Sequence, residues 1–252
     1  MSKLELCTVL SVSRPREGAV DMTLSCSFGQ SALPGQFVHI KCGDDMLLRR
    51  PISLCDATDD TLRLVIEDVG KGSKWLVDRK AGNVLDILGP LGSFGFPLPE
   101  DDTRPILLIG GGVGTAPPLM VAKRSKAPAD AVLGFRSAKL VMLDEDFAAS
   151  CRYSQVCTDD GSFGQHGFVT EVAERRIAKH GYQAIYACGN MSMLRAVAEL
   201  GRRTGIKTWV SLDERMGCGL GACLVCACKT KDDKYVHVCK AGPVFDAEEV
   251  TW

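Results

Sequence analysis

The sequence predicts an all-β half joined to an α/β half: an antiparallel β-barrel, then a doubly wound parallel sheet, then a small cysteine-rich module. Three observations predict this organisation. Short segments of alternating apolar and polar residues fill the first part of the chain, as in antiparallel strands. Continuous apolar runs then alternate with helix-like segments. Finally, five of the twelve cysteines fall between Cys218 and Cys239.

The barrel is expected in the first domain, over residues 1–100. Several short strands within about 90 residues, separated by Gly, Pro or Asp, favour a small closed barrel. The strand segments are LELCTVLSVSRP, GAVDMTLSCSF, QFVHIKC and TLRLVIEDV. A Gly- and Pro-rich segment at residues 88–105, LGPLGSFGFPLPEDDTRP, then marks a domain boundary.

The α/β domain is expected over residues 101–208. Apolar strands that alternate with helices predict a parallel sheet with helices on both faces. The strand segments are PILLIGGG, AVLGFR, KLVMLDE, SQVCTDD and AIYACGN, and the helical ones are APPLMVAKRSK, FVTEVAERRIAKHG and MLRAVAELGRRTG. Residues 209–252 return to Gly, Cys and short strands, which predicts a third, small domain.

Composition narrows the classes of partner and location. The net charge of −1 favours neither nucleic acid nor an anionic membrane as partner. No apolar run reaches the roughly 18–20 residues of a membrane-spanning helix, and the first residues alternate like a strand rather than a signal peptide. We therefore expect a cytoplasmic protein, in which the seven scattered cysteines are reduced, buried side chains.

Four cysteines have the spacing of an iron–sulfur site. They are Cys218, Cys223, Cys226 and Cys239, separated by four, two and twelve residues. This is the plant-type [2Fe–2S] spacing, which needs four thiolates on a tight loop and its return segment. Structural zinc is the alternative, although zinc sites favour paired C-x2-C knuckles and only one is present.

Glycines and a hairpin complete this module. Gly217, Gly219 and Gly221 let the loop wrap closely and direct backbone N–H groups at the sulfurs. The fourth ligand is expected on the return strand of a hairpin, KYVHVCK. Cys228 we interpret as a packing cysteine.

A glycine-rich turn suggests a nucleotide site in the α/β domain. In ILLIGGGVGTAPPLM, the glycines are Gly110, Gly111, Gly112 and Gly114. Thr115 is the predicted helix cap, and Pro117 and Pro118 suit a first helical turn. Glycines let the backbone approach a pyrophosphate at a helix N-terminus. Because the spacing is not G-x-G-x-x-G, a plain strand-to-helix turn remains the alternative.

Two further strand ends support the same site. YACGN ends a strand at Cys188 and Gly189, and the loop CTDDGSFGQHG contains Asp159 and Asp160. Ligands of open α/β sheets bind at the carboxyl ends of strands, where these segments converge. The two aspartates would repel a 2′-phosphate, which favours NADH over NADPH.

In the barrel, the segment LLRRPISLC contains an arginine and a hydroxyl on an extended strand. The guanidinium of Arg50 suits a pyrophosphate, and the hydroxyl of Ser53 suits a flavin nitrogen. Taken alone, an arginine on a strand is more often a solvated residue.

With these segments in hand, the chain resembles the ferredoxin-reductase family, and within it the electron-transfer subunits of heteromeric, NAD-linked dihydroorotate dehydrogenases. The matching stretches cover nearly the whole length. They are GQFVHIK, LLRRPIS, VGKGS, LGPLGSFG, GGGVGTAPP, TDDGSFGQHGFVT, YACGN, MGCGLGACLVCACKT and VCKAGPVF. The last two are specific to the subfamily, whereas the others occur across the superfamily.

This resemblance implies an FAD-binding barrel, an NAD-binding domain and a C-terminal [2Fe–2S] domain. By analogy, the flavin is held by Arg50, Pro51, Ile52 and Ser53, with Val65, Ile66 and Glu67 beside it and Gly72 and Ser73 at its pyrophosphate. It implies no catalytic acid or base in this chain. The four histidines, His39, His166, His180 and His237, are therefore interpreted as structural.

The implied function is electron transfer between NAD(H) and a partner in pyrimidine biosynthesis. The partner is an FMN-containing dihydroorotate dehydrogenase catalytic subunit, in a heterotetramer with two copies of each chain. Two alternatives remain open. One is a subunit of a ferredoxin-linked NAD(P) oxidoreductase or a sulfur-reducing flavoenzyme; the other is a redox-sensing iron–sulfur protein without turnover.

Overall fold

The computed structural model of the chain describes residues 2–252. Its first part is a closed antiparallel barrel with strand order β1-β2-β5-β4-β3-β6. The strands are β1 (Lys3–Ser13), β2 (Ala19–Ser25), β3 (Phe37–Ile40), β4 (Arg50–Ala57), β5 (Thr61–Glu67) and β6 (Val84–Leu91). A short helix, α1 (Lys71–Val77), connects β5 to β6. The predicted barrel is thereby confirmed.

Alternation along the strands separates the barrel interior from its outer face. On β5, Leu62, Leu64 and Ile66 lie in the barrel core, whereas Val65 packs outwards against the second domain. On β3, Phe37 packs outwards into the core that the third segment shares with the α/β sheet. The outer faces of β3, β4 and β5 are therefore where the rest of the chain packs against the barrel, through Phe37, Cys55 and Val65.

The second part is a seven-stranded sheet in the order β10-β9-β8-β7-β11-β12-β15. The strands before residue 212 are β7 (Ile106–Gly111), β8 (Ala129–Phe135), β9 (Tyr153–Thr158), β10 (Gln165–His166), β11 (Ala184–Cys188) and β12 (Lys207–Ser211). The helices are α2 (Ala116–Arg124), α3 (Asp144–Ser150), α4 (Val169–Ile177) and α5 (Met191–Thr204). Strands β7 to β12 are parallel, which confirms the predicted doubly wound sheet.

One predicted strand of this domain is wrong. The segment KLVMLDE, residues 139–145, begins in a 3-10 turn, Ala138–Leu140, and ends in the first two residues of α3. Met142 and Leu143 are buried, but they pack beside α3 instead of joining the sheet. Three acidic residues in the first turn of α3 interact favourably with the helix N-terminus, which explains why a helix begins where the apolar run stops.

The third segment is attached to this sheet. It contains β13 (Ala227–Lys229), β14 (Tyr235–His237), α6 (Val238–Ala241) and β15 (Val244–Asp246). β13 and β14 form a hairpin, whereas β15 pairs antiparallel with β12 at the sheet edge. The domain boundary expected after residue 208 falls inside β12. Because β12 pairs with β15, backbone hydrogen bonds join the α/β sheet to the third segment.

Ion pairs fix the barrel against the α/β domain. Arg63 of β5 donates to both carboxylate oxygens of Asp146 in α3, at 2.6 and 2.8 Å, and also binds Asp21 of β2. Lys123 of α2 reaches Asp56 of β4 at 2.7 Å. These pairs connect strands β2, β4 and β5 of the barrel to helices α2 and α3 of the α/β domain. Among the helices of residues 2–252, none combines the length and apolar character needed to cross a membrane.

Candidate functional site

Backbone N–H groups of the loop that begins at Cys218 donate hydrogen bonds to the cysteine sulfurs. Cys218 Sγ accepts from the N–H groups of Leu220 and Ala222, each at 3.3 Å. Cys239 Sγ accepts from the N–H of Gly221 at 3.2 Å. N–H donors to sulfur stabilise a negatively charged thiolate or cluster, so the loop is built for an anionic metal–sulfur group. The predicted direction of these N–H groups is confirmed.

Two of the predicted glycines are required by backbone conformation. Gly219 and Gly221 have φ of +71° and +78°, in the left-handed region that favours glycine. They are also tightly surrounded. A Cβ on Gly219 would lie 2.9 Å from both Cε1 and Nδ1 of His39, and one on Gly221 would lie 2.7 Å from Cδ of Lys240. A side chain at either position would therefore push the loop away from its neighbours.

The four thiols are arranged as two pairs. The backbone N–H of Cys218 donates to Sγ of Cys223, and the backbone N–H of Cys239 donates to Sγ of Cys226, each at 3.4 Å. Among residues 2–252, no three Cys, His, Asp or Glu side chains converge as the ligands of one metal ion do. Two pairs suit a cluster of two irons with two thiolates each, and disfavour one tetrahedral zinc.

The pKa values of Cys218 and Cys239 are shifted in opposite directions. Partial burial would raise the pKa of Cys218, but the N–H groups of Leu220 and Ala222 outweigh burial and lower it to about 6. Burial and the hydrogen bond with Cys226 raise the pKa of Cys239 to about 12. Of these two cysteines, Cys218 is therefore the one that the loop favours as the thiolate, the form that binds iron.

The fourth cysteine lies in a different element from the one predicted. The return strand β14 ends at His237, and Cys239 lies in the one-turn helix α6 that follows. The N–H of Val238 still donates to the carbonyl of Cys226 at 3.0 Å, in register with the hairpin. The N–H of Gly242 then donates to the carbonyl of Val238 at 3.2 Å, which closes the helical turn that contains Cys239. Cys228 lies on β13 opposite Val236 and packs against the core, as expected of a packing cysteine.

The outer side of the cysteine loop is apolar and exposed. Leu220, Leu224 and Val225 are 55%, 65% and 56% exposed. More than half of each side chain is therefore free of contact with the rest of the chain. Cys223 between them is exposed as well. A redox group held here would lie just below an apolar surface, where a partner can approach closely.

The predicted flavin segment forms β4, whose Arg50 is unpaired. Its guanidinium donates to the backbone carbonyls of Leu48 and Arg49, and within residues 2–252 no carboxylate pairs with it. The neighbouring Arg49, by contrast, binds Asp86 at 2.9 Å. A cation without an acidic partner suits a phosphate ligand.

The predicted pyrophosphate contacts lie beside this arginine. A Cβ on Gly72, in the first turn of α1, would lie 2.2 Å from Nε of Arg50, so only glycine allows this approach. The hydroxyl of Ser73 donates to the carbonyl of Gly70 at 3.0 Å and accepts from the N–H of Val69 at 2.9 Å. The guanidinium of Arg50 and the start of α1 therefore form one continuous surface.

The other predicted flavin residues are divided between two faces. Pro51, Ile52 and Ser53 are half-buried along β4. Ile66 lies in the barrel core, so only its backbone is available to a ligand outside. Glu67 forms an ion pair with Arg16 at the end of β5. Of the predicted β5 residues, Val65 has its side chain on the outer face, against the α/β domain.

The predicted nucleotide residues meet at the centre of the sheet. The chain moves from β7 outwards to β8 and β9, and later from β11 outwards to β12. β7 and β11 therefore flank the topological switch point, where open α/β sheets bind ligands. A Cβ on Gly114 would lie 2.7 Å from the carbonyl oxygen of Cys188 and 2.8 Å from Cα of Gly189. The glycine turn and the Cys188–Gly189 turn thus form one surface.

Two details of this region differ from expectation. Thr115 does not cap α2 with its side chain; its buried hydroxyl donates back to the carbonyl of Gly112 at 2.9 Å and rigidifies the turn. Pro117 and Pro118 do occupy the first turn of α2, as predicted. Asp159 follows β9, two strands away from β7, and is exposed. Strand β9 lies about 10 Å from β7 by strand spacing, so Asp159 is separated from the glycine turn that follows β7.

One site-facing residue was missed by sequence reasoning, which grouped it with the structural histidines. His39 of β3 is fully buried, and neither ring nitrogen has a hydrogen-bond partner in the described part of the chain. Its ring lies against Gly219 of the cysteine loop. The only indication of this position in the sequence is that a histidine stands among the apolar residues of QFVHIKC.

Comparisons with known proteins match this geometry. The family model described as the iron–sulfur cluster binding domain of dihydroorotate dehydrogenase B matches residues 213–251. The electron transfer subunit of dihydroorotate dehydrogenase B (NAD(+)) from Geobacillus kaustophilus is 42% identical over 98% of both chains. The subunit of the same name from Caldanaerobacter subterraneus is 39% identical over 96% of both.

Solved structures agree with the fold. An NADH-dependent reduced ferredoxin–NADP oxidoreductase superposes with a TM-score of 0.89 at 30% identity, over 100% of this chain and 92% of that chain. The ferredoxin reductase of a carbazole 1,9a-dioxygenase superposes with a TM-score of 0.67 at 21% identity, over 81% of this chain and 67% of the other. The second likeness supports the fold alone.

Proposed function

Because the chain belongs to the family of dihydroorotate dehydrogenase B electron transfer subunits, we propose that it carries electrons between NAD(H) and a dihydroorotate-oxidising partner. The observation that carries this proposal is the arrangement of four cysteines as two hydrogen-bonded pairs under an exposed apolar surface. When bound, FAD would exchange an electron pair with NAD(H) and the [2Fe–2S] cluster would relay electrons singly. The chain itself supplies binding, spacing and electrostatics.

In this proposal the barrel, over residues 1–100, holds FAD. Arg50 and the start of α1 bind the pyrophosphate, supported by the unpaired guanidinium and its contact with Gly72. Pro51 and Ser53 line the flavin along β4, together with the backbone of Ile52, whose side chain packs against the barrel core. Val65 and the backbone of Ile66 border the flavin on β5, with Glu67 at the end of that strand.

Residues 101–208 bind NAD(H) at the switch point of the sheet. The contacting residues are Gly111, Gly112, Gly114, Thr115, Cys188 and Gly189, with Asp159 towards the far end of the dinucleotide. The close approach of the two turns supports this assignment. Their bare backbone lets a nicotinamide nucleotide lie across β7 and β11, facing the outer face of the barrel.

Residues 209–252 hold the cluster through Cys218, Cys223, Cys226 and Cys239. The exposed side chains of Leu220, Leu224 and Val225 form the contact surface for the partner. We propose that this partner is an FMN-containing catalytic subunit, in an assembly with two copies of each chain. An apolar surface above the cluster favours docking that excludes water and shortens the path for electrons.

The function is tested by adding NADH to the purified protein under anaerobic conditions. We expect the visible absorbance of both FAD and the cluster to bleach within seconds, and the reduced cluster to give an electron paramagnetic resonance signal. Steady oxidation of NADH with an artificial dye should follow. A protein that holds a cluster yet is not reduced by NADH would favour the redox-sensing alternative.

Arg50→Ala is expected to weaken FAD binding by about ten- to hundredfold, because a hydrogen bond to a charged group contributes about 1.5–3 kcal/mol. Fluorescence titration of FAD into the deflavinated protein measures the affinity. The FAD affinity of Arg50→Lys should lie between those of the wild-type protein and Arg50→Ala, since lysine keeps the charge but lacks the planar guanidinium. Arg49→Ala is the matched control: its guanidinium is engaged by Asp86, so FAD affinity should hold. Equal losses at both positions would contradict the assignment.

A second candidate function has one observation in its favour. The ferredoxin–NADP oxidoreductase structure covers the whole of this chain with a TM-score of 0.89. The same barrel, sheet and cysteine module thus also serve a ferredoxin-linked enzyme. The two functions differ in the partner that accepts the electrons, and the partner experiment in the Discussion separates them.

A further inference from the structure

A buried histidine lies between the two cofactor-binding parts of the chain. His39 of β3 has no exposed surface, and neither Nδ1 nor Nε2 has a hydrogen-bond partner among residues 2–252. Burial, and then the charge of Arg49, lowers its pKa to about 4, so the ring is neutral near pH 7. A neutral imidazole has one N–H donor and one nitrogen acceptor. Both are without a partner in the polypeptide.

The neighbours of His39 place it beside both proposed redox sites. In the barrel, it pairs with Pro51 of β4, the proposed flavin strand. On its outer side, its Nδ1–Cε1 edge lies against Gly219, next to Cys218 in the cluster loop. Phe37 meets the ring edge-on at 5.7 Å and continues into the core around Cys226 and Cys239. His39 therefore bridges the flavin strand and the cluster loop.

Packing alone does not account for a histidine here. An apolar ring fills a buried position without leaving polar nitrogens unpartnered, as Phe37 does two residues away on the same face. Buried polar groups without a partner in the chain commonly have one in a ligand, an ion or water. The space next to this histidine is where the proposed function puts FAD and the cluster.

We propose that His39 is a positioning residue for electron transfer: its ring fixes the cluster loop at Gly219 against the flavin strand, and a ring nitrogen donates a hydrogen bond to an acceptor atom of a bound redox group. This inference rests on the proposed function. The acceptor is either a cluster sulfur or a heteroatom of the flavin ring. In both cases an N–H donor stabilises the reduced, more negative form and raises its reduction potential.

The experiment measures potentials in the loaded protein with a chemical reductant, so its outcome does not depend on NADH turnover. His39→Phe keeps an aromatic ring and removes the donor. His39→Gln keeps a donor and an acceptor on a side chain of similar reach. Phe37→Leu is the matched control, since it disturbs the same packing face without removing a polar group. Thermal unfolding and cluster content establish that each variant is folded and loaded.

We expect His39→Phe to shift the oxidised-to-reduced equilibrium of one redox group about tenfold towards the oxidised form, which is about 59 mV for a one-electron group. His39→Gln should recover most of the shift, and Phe37→Leu should show little. A shift of the cluster potential identifies a sulfur as the acceptor, and a shift of the FAD potential identifies the flavin; either outcome supports the proposal.

Unchanged potentials in folded, loaded His39→Phe would overturn the proposal, as would equal shifts in Phe37→Leu or a glutamine variant that behaves like phenylalanine. If His39→Phe does not bind its cofactors, the reduction potentials of His39→Gln and Phe37→Leu decide: wild-type potentials in both variants support the proposal, and equal shifts in both contradict it. Failure of the proposed function is recognised separately, because the wild-type protein would then hold its cofactors without being reduced by NADH.

Discussion

Serine at any one of the four cluster cysteines is expected to remove the [2Fe–2S] cluster. The positions are Cys218, Cys223, Cys226 and Cys239. An alcohol remains protonated near neutral pH and is a much poorer ligand for iron than a soft thiolate. Iron and acid-labile sulfide should fall from about two of each per chain to near zero. Chemical analysis and the loss of the visible charge-transfer bands measure this, while FAD should remain bound.

The same chain supplies the matched control. Cys228→Ser changes a cysteine only two residues from Cys226, but the side chain packs against the core and no N–H of the loop donates to it. This variant should keep the full cluster with unchanged spectra. Loss of the cluster in Cys228→Ser together with its retention in Cys239→Ser would reverse the ligand assignment.

The isolated chain is expected to oxidise NADH with dyes but to show no dihydroorotate turnover. Dihydroorotate oxidation removes a proton from carbon as hydride leaves, which requires a general base beside a flavin. The proposed sites in residues 2–252 are occupied by contacts to FAD, NAD(H) or the cluster, and no titratable group is assigned as a base there. Adding the FMN-containing subunit from the same organism should create NAD⁺ reduction by dihydroorotate where none existed before.

The contact surface can be tested in the same assay. Val225→Asp places a charge on the cluster loop, and we expect it to weaken association at least tenfold, since an unpaired charge at an apolar contact is costly to desolvate. Val84→Asp is the matched control, because both valines are 56% exposed. Val84 is the first residue of β6, and it is the last residue of that strand, Leu91, that lies near the cluster loop. The control therefore places the same charge away from the proposed contact surface. Co-purification and dihydroorotate turnover provide the readouts.

Two results would count against this partner. One is dihydroorotate oxidation by the chain alone. The other is failure to associate with the FMN subunit under conditions in which a ferredoxin accepts the electrons, which would favour the ferredoxin-linked alternative. Equal loss of association in Val225→Asp and Val84→Asp would leave the partner in place but remove the cluster loop as its contact surface.

Local sequence signals determined much of this protein. The cysteine spacing sets the ligand positions because a tight loop brings thiols together only at certain intervals. The glycines of that loop follow from the same constraint, as Gly219 and Gly221 show with their positive φ values. Periodicity of two residues, and then apolar runs between helices, predicted the barrel and the parallel sheet, since each pattern reflects which face of a strand is buried.

The tertiary structure decided what depends on contacts between distant segments. Cys239 lies in α6 and not on β14 because the N–H of Gly242 donates to the carbonyl of Val238, which closes a helical turn directly after the hairpin. The segment KLVMLDE leads into a helix since burial beside α3 satisfies its apolar residues without a sheet partner. Gly114 meets Cys188, and His39 meets Gly219, across 74 and 180 residues of chain. Such pairings are fixed by packing of whole domains, and one-dimensional patterns contain no information about them.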